Sequence, residues 1–238
     1  MKAIVLAAGN GGRLRSLTQQ TPKVLFEVGG QPLIQYPIRA LALAGVTEIA
    51  VMVGHDSQKV VDALKDVYPT LTFIFNQWHE GDNAISIFAA RDFVMGEPFV
   101  VCMGDHAISP NIVETLVLEH GDGNILCVDS ATSNPSQISD ATRVRVDADG
   151  FILDIGKDLM DWDVVDTGVF MMNDNVFPCI ERLMVNQGKK VTISQVVVEM
   201  GRTGQPFRVC DVSGMFWADV DTPEDYHSVE MLLREGIV

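Results

Sequence analysis

Short apolar runs alternate along this chain with stretches of helical periodicity. Residues 2–7 are almost continuously apolar and give way at Gly9, as a strand buried on both faces does. Residues 32–44 then carry apolar side chains at helical spacing and stop at Gly45. The pair repeats. A strand is predicted over 48–53 with a helix over 57–67, a strand over 71–76 with a helix over 84–93, and a strand over 99–103 with a helix over 110–120 opened by Pro110. A further strand covers 124–129. Strands alternating in this way with helices predict an α/β fold built on a parallel, doubly wound sheet.

The rhythm changes after residue 129. Residues 129–142 are rich in Ser, Thr, Asn and Asp, and read as a long loop of the kind that serves binding sites. Residues 142–147 and 151–156 flank Ala148-Asp149-Gly150, a hairpin signal. Helices near 174–186 and 192–201 and a strand near 206–212 follow. Thr222-Pro223-Glu224-Asp225 opens a last helix, with Thr222 as cap, Pro223 in the first turn and two acids at the positive end. No repeat, low-complexity tract or linker interrupts the 238 residues. They read as one domain, with a first half to about residue 128 and a second over about 129–238.

Composition narrows the chemistry. A hydrophobic content of 47% supports a large core, and a net charge of −15 disfavours nucleic acid and anionic membrane surfaces as partners. The apolar run at residues 3–8 is too short for a secretion signal, and no stretch approaches the ~20 apolar residues of a membrane span. The expectation is a soluble, cytoplasmic protein with no membrane insertion, with a homo-oligomer left open. Cys102, Cys127, Cys179 and Cys210 form no Cys-x-x-Cys motif, so they are expected to be buried thiols in a reducing compartment.

The most specific chemistry follows the first strand: Leu6-Ala7-Ala8-Gly9-Asn10-Gly11-Gly12-Arg13-Leu14, then Thr18 and Thr21-Pro22-Lys23. Open α/β sheets bind ligands at the carboxyl ends of their strands. Gly9, Gly11 and Gly12 would let backbone N–H groups approach phosphates, while Arg13 grips two oxygens and Lys23 acts as a mobile point charge. This is not a dinucleotide fingerprint, because Leu14 stands where the last glycine belongs, and no Gly-Lys-Ser/Thr loop is present. A triphosphate site in so acidic a chain must be locally positive, and a divalent cation would help. Asp105 follows the apolar run Phe99–Met103 and should stand at a strand end. Asp219 is the second candidate ligand, and Asp221 lies close to it. Carboxylates suit Mg²⁺. Each acid also has a plainer reading as a cap or turn residue, with Asp221 supporting the Thr222 cap.

The leading string resembles the nucleotidyltransferase superfamily that makes nucleotide-activated sugars and alcohols, with the signature L-A-x-G-x-G-x-R-L…T…P-K. Met103-Gly104-Asp105-His106, Gly156-Lys157-Asp158-Leu159, Val165-Asp166-Thr167-Gly168-Val169-Phe170 and Trp217-Ala218-Asp219-Val220-Asp221-Thr222 look most like inositol-1-phosphate cytidylyltransferases. Asn83-Ala84-Ile85-Ser86 is similar to a segment of phosphocholine cytidylyltransferases. The resemblance implies a Rossmann-like sheet with a β-hairpin insertion on the acceptor side, a nucleotide-binding first half and an acceptor-binding second half. It implies Mg²⁺-dependent transfer of CMP from CTP to a phosphorylated polyol, inositol 1-phosphate foremost. Leu6, Ala7, Ala8, Gly9, Gly11, Gly12 and Gly104 would then surround the nucleotide. Arg13 would hold the β/γ phosphates, Lys23 the α-phosphate and acceptor phosphate, and Asp105 and Asp219 the metal. Lys157, Asp166, Thr167 and Gly168 would receive the acceptor.

Several alternatives stand. Asn83 and Ser86 read either as contacts to the base edge or as caps of the helix beginning near residue 84. Asp166-Thr167-Gly168 reads also as a strand with a bulge at Gly168. His106 invites a general-base role, yet an acceptor phosphate is already ionised near neutral pH, so packing beside the site serves equally. Phosphocholine or a phosphonate could replace the polyol; choline would require an aromatic cage, for which Trp78, Trp162 and Trp217 are available. A sugar 1-phosphate with UTP, dTTP or GTP is another reading, and a nucleotide sensor without turnover is a reading of a different class. Relatives often carry a fused membrane phosphotransferase domain; here such an enzyme is expected to be either a separate partner or absent.

Overall fold

The computed structural model describes residues 1–9, 21–119, 121, 123–132, 138 and 140–234. The first half runs β1 (Lys2–Ala7), a small hairpin of β2 (Glu27–Val28) and β3 (Gln31–Pro32), α1 (Gln35–Leu43), β4 (Glu48–Val53), α2 (Ser57–Leu64) and β5 (Thr72–Phe75). It continues through α3 (Asn83–Ala89), α4 (Arg91–Val94), β6 (Phe99–Met103), β7 (His106–Ile108), α5 (Pro110–Leu118) and β8 (Ile125–Asp129). The second half holds β9 (Arg143–Val146), β10 (Ile152–Gly156), β11 (Val164–Met172), α6 (Val176–Gln187), α7 (Ile193–Arg202), β12 (Arg208–Asp211), β13 (Trp217–Asp219) and α8 (Pro223–Arg234).

One nine-stranded sheet runs through both halves. β1 lies between β4 and β6 and is parallel to both, and β5 extends this parallel part. Successive β1 side chains point to opposite faces, and each face has its own core. Ile4 and Leu6 pack with α3, α6 and α7 on one side. Ala3, Val5 and Ala7 pack with α1, α2 and α5 on the other. The four cysteines are buried free thiols in these layers, and burial pushes the Cys102 thiol up to about 12. Among the described residues, no helix is long and apolar enough to cross a membrane.

The second half departs from the parallel pattern. The predicted 151–156 strand pairs with its partner as the β9–β10 hairpin. β11 inserts antiparallel beside β6, with β8 along its opposite edge. β9 shares the β6 edge of β11, at Val164 and Val165, whereas β6 joins only from Val169 onward. Residues 166–168 of that edge therefore have no strand beside them, and the register against β8 shifts at the same place. Gly168 takes φ +79° there, a conformation that side-chain-bearing residues rarely adopt, and a Cβ would come within 2.6 Å of the His106 ring. The interruption of the sheet edge is thus built around a glycine and opens a cleft.

Candidate active site

The carboxyl ends of β1, β4 and β6 crowd together at one rim of the sheet. Gly104 packs against β1 so closely that a Cβ would sit 2.7 Å from the Leu6 carbonyl oxygen, and its N–H donates to that oxygen at 3.0 Å. Asp105 follows directly. β7 then pairs antiparallel with β13, which sets Asp219 opposite His106. The chain beyond β13 stays extended, so Asp219 and Asp221 lie on one face while Val220 is fully buried. Thr222 and Asp225 fix that segment: the Asp225 N–H donates to Thr222 Oγ1, and Asp225 Oδ2 accepts from the Asp221 and Thr222 amides. The cap expected at Thr222 is therefore completed by Asp225, while the Asp221 carboxylate turns elsewhere.

It turns to Lys23. Pro22 leads into a short 3-10 turn, Lys23–Leu25, whose first side chain is buried with 8% of its surface exposed. Its Nζ donates to Asp105 Oδ2 at 2.6 Å and to Asp219 Oδ1 at 3.4 Å, and makes a short contact with Asp221 Oδ1. Burial alone would lower the lysine pKa, but the three carboxylates carry it well above its ordinary value. Burial likewise acts to raise Asp105, and Lys23 and His106 outweigh it, holding the carboxyl at about 2. Asp219 is pushed up to about 6, chiefly by burial.

The same cluster has the donor set for a divalent cation. Asp105 Oδ1 is buried with no hydrogen-bond partner. Ligand atoms of Asp105, His106 and Asp219 lie within 4.8 Å of one another. His106 Nδ1 bonds to the Thr167 carbonyl at 3.0 Å, leaving Nε2 facing Asp219 Oδ1 at 3.8 Å and Asp105 Oδ1 at 4.0 Å. Two carboxylates with an unsatisfied oxygen between them fit a hard cation such as Mg²⁺. Burial lowers the His106 pKa, and Asp219 and Asp105 more than reverse the effect.

The cleft has a volume of about 340 Å³. Asp105, Asp219 and Asp221 are among its lining residues, together with Asp166, Gly168, Lys157 and Thr142. Asp166 Oδ1 accepts from the Gly168 amide at 2.7 Å, and burial pushes its carboxyl up to about 6. Thr167 points away, its hydroxyl donating to the Cys127 carbonyl inside the core. Lys157 reaches the cleft but is paired with Asp140 at 3.0 Å.

A nucleotidyl transferase family description matches residues 2–236. The chain belongs to that family. This nucleotidyl transferase is 34% identical over 232 residues to the bifunctional IPC transferase and DIPP synthase of Aquifex aeolicus, covering 97% of this chain and 51% of that protein. It is also 34% identical over 240 residues to the protein of the same name from Archaeoglobus fulgidus, covering 100% of this chain and 45% of that protein. The chain thus spans about half the length of the curated relatives it matches. Among solved structures it is similar to the inositol-1-phosphate CTP transferase from T. maritima, with a TM-score of 0.86, 26% identity and coverage of 100% of this chain and 97% of that one.

The remaining expected site residues of the nucleotidyl transferase divide into three groups. Gly11, Gly12 and Arg13 lie outside the described residues. Leu6, Ala7 and Ala8 are buried, so only their backbone can meet a ligand, while Gly9, two residues beyond β1, is exposed. Asn83 lines the cleft, with its Oδ1 accepting from the Ile193 amide at 2.8 Å. Ser86 is buried behind it and accepts from Asn76 at 3.0 Å. Of the three tryptophans, Trp217 alone lines this cleft, and its indole N–H donates to Asp129. Trp162 and Trp78 stand beneath Arg143 and Lys189 respectively. Ser194 also lines the cleft and was missed in the sequence, while Thr142 and Phe170 fall in segments that the sequence marked without singling them out. The Thr192–Gln195 capping box is the signal that marks Ser194, since it fixes the start of α7 at the cleft wall.

Asp166 carries a pH prediction. Its folded-state pKa lies above the ordinary 3.8. The unfolded chain therefore loses this proton first, and stability contributed here falls as pH rises from about 4 to about 6. Asp166→Asn keeps an acceptor for the Gly168 amide and removes the charge. Urea unfolding across pH 4–7 should show the variant gaining on the wild type through that window, then running parallel to it. A constant difference at every pH would sink the assignment.

Proposed function

We propose that the protein transfers the CMP group of CTP to inositol 1-phosphate with Mg²⁺, releasing pyrophosphate and CDP-inositol. An acceptor phosphate oxygen forms a bond to the α-phosphorus of CTP as the bond from that phosphorus to the pyrophosphate oxygen breaks. The reading is carried by one juxtaposition: the Asp105–Asp219 pair and the polar opening at Asp166 share a cleft, in a chain similar to an inositol-1-phosphate CTP transferase. The names of the Aquifex and Archaeoglobus relatives point the same way.

Both reactants are polyanions, so catalysis here is charge compensation and alignment. Asp105 and Asp219 would hold Mg²⁺, which when bound supplies positive charge beside the phosphates. Lys23 neutralises the α-phosphate, and Arg13 with Gly11 and Gly12 receives the β- and γ-phosphates. Lys157 leaves Asp140 for the acceptor phosphate, and the ionised Asp166 accepts from a polyol hydroxyl. No proton need be removed from an acceptor phosphate that is already ionised, so His106, its Nδ1 tied to the Thr167 carbonyl, serves as a charged neighbour of Asp219. A choline acceptor is disfavoured because, among the described residues, the aromatic side chains that line the cleft are Trp217 and Phe170, and both are buried, with 5% and 1% of their surface exposed, where a cage needs several open aromatic faces.

Pyrophosphate release with Mg²⁺ tests the reading, across CTP, UTP, dTTP, GTP and ATP against inositol 1-phosphate, phosphocholine, 2-hydroxyethylphosphonate, glucose 1-phosphate and mannose 1-phosphate. Turnover confined to CTP with inositol 1-phosphate is the expected result. Turnover elsewhere in the grid would replace the substrate. A blank grid from folded protein that still binds a nucleotide would favour a nucleotide sensor or an acceptor outside the grid.

A further inference from the structure

Three carboxylates around one buried ammonium are more than a Mg²⁺ site needs, and Asp221 is the unexplained member. A lysine ammonium has three N–H donors and no acceptor. In this nest all three are engaged, by Asp105, Asp219 and Asp221. The Asp219 contact, at 3.4 Å, is the loosest. Asp221 makes a short contact, has a side chain only 15% exposed, and is held by a backbone whose amides are pinned to Asp225.

We propose that Asp221 is a positioning residue for Lys23. It anchors the ammonium together with Asp105, so that when Asp219 turns to a metal ion, Lys23 stays in place with one N–H freed toward phosphate. The inference rests on the reading that Lys23 serves a phosphate during nucleotidyl transfer. Without Asp221, a long flexible side chain buried among acids would follow Asp219 or swing out to solvent. The alternation Asp219-Val220-Asp221 is what allows one short segment to offer one carboxylate to a metal and the next to a lysine. The rival role for Asp221 is direct metal ligation, because ligand atoms of Asp140, Asp219 and Asp221 also lie within 4.8 Å of one another.

A double-mutant cycle separates the two roles, read with whichever nucleotide and acceptor turn over, so that a wrong substrate assignment leaves it interpretable. Asp221→Asn should lower kcat by about 10- to 100-fold with KM for the nucleotide within about twofold, and Asp221→Glu should restore part of the loss. In a Lys23→Met background, Asp221→Asn should cost less than about twofold more, because the residue through which it acts is gone. Mn²⁺ binding to the substrate-free protein, followed by electron paramagnetic resonance, should change less than about twofold in Asp221→Asn. A readout needing no turnover completes the set. Acylation of Lys23 by an amine reagent, followed by mass spectrometry of metal-free protein, should rise about tenfold or more in Asp221→Asn as the ammonium is released. Independent losses in the cycle, a tenfold fall in Mn²⁺ affinity, or unchanged Lys23 acylation would each overturn the proposal.

Discussion

Asp105→Asn should reduce kcat by about 100- to 1,000-fold with the fold preserved, the cost of removing a preorganised charge from a buried polar centre. The substitution keeps the size of the side chain and one acceptor for Lys23. It removes the charge from a group whose other oxygen is buried and unpartnered. Mn²⁺ binding to the substrate-free protein should weaken in parallel, which distinguishes loss of a ligand from loss of a lysine partner. Stability shifts in a predictable direction. The folded-state pKa of Asp105 lies near 2, below its ordinary 3.8, so its stabilisation is present above about pH 4 and is lost as pH falls toward 2. The variant should therefore melt below the wild type at pH 7, and the gap should close on acidification. Unchanged turnover would remove Asp105 from the metal and from the mechanism.

Lys23→Met should be the second severe change, and it should report on stability as strongly as on rate. The methionine keeps the apolar stem but leaves Asp105, Asp219 and Asp221 facing one another without their shared cation. Breaking a buried ion pair from one side costs about 3–5 kcal/mol, and here three acids lose the same partner. Metal-free variant should melt well below the wild type, and Mg²⁺ should recover much of the loss, giving a melting temperature far more Mg²⁺-dependent than that of the wild type. The rate should fall by about 100-fold or more with little change in nucleotide KM, as expected for a charge used mainly in the transition state. An effect confined to KM would reduce Lys23 to a binding contact. Equal Mg²⁺ dependence in both proteins would mean that the ammonium and the metal do not share their carboxylates.

The parallel half of the fold was legible because it is written in periodicity. The apolar runs at 2–7, 48–53 and 99–103 are the bounds of β1, β4 and β6. Glycines and caps located the turns less well. The helix predicted over 84–93 breaks at Ala90 into α3 and α4, and residues 27–32 form a hairpin where Gly29 and Gly30 take positive φ. What the sequence could not convey was pairing. Val164–Met172 is apolar enough for any strand, and nothing local says that it runs antiparallel between β6 and β8, or that β9 stops short of β6.

The site divides in the same way. Asp105 and Asp219 come together as the motifs imply, although they stand 114 positions apart (219 − 105) in the sequence. Asp221 could be noticed but not assigned, because its choice between a local cap and a distant lysine depends on Asp225 taking the cap. Asn83 and Ser86 belong to one segment and, three residues apart, share a helix face, yet one lines the cleft and the other is spent on Asn76, a distinction set by their tertiary neighbours and not by helix phase.

The gap in the edge of β11 has a consequence for how acceptors can be exchanged. β9 and β6 are fastened to the same strand on either side of the gap, and behind it the register against β8 shifts. The aperture is therefore framed by paired strands at both of its ends. Under the proposed function, an acceptor entering here would have its selectivity altered by refitting side chains around the rim, at Thr142, Lys157 and Asp166, while the strand-end acids stay as they are. Successive enzymes could diverge in the alcohol they accept without disturbing how they handle the triphosphate.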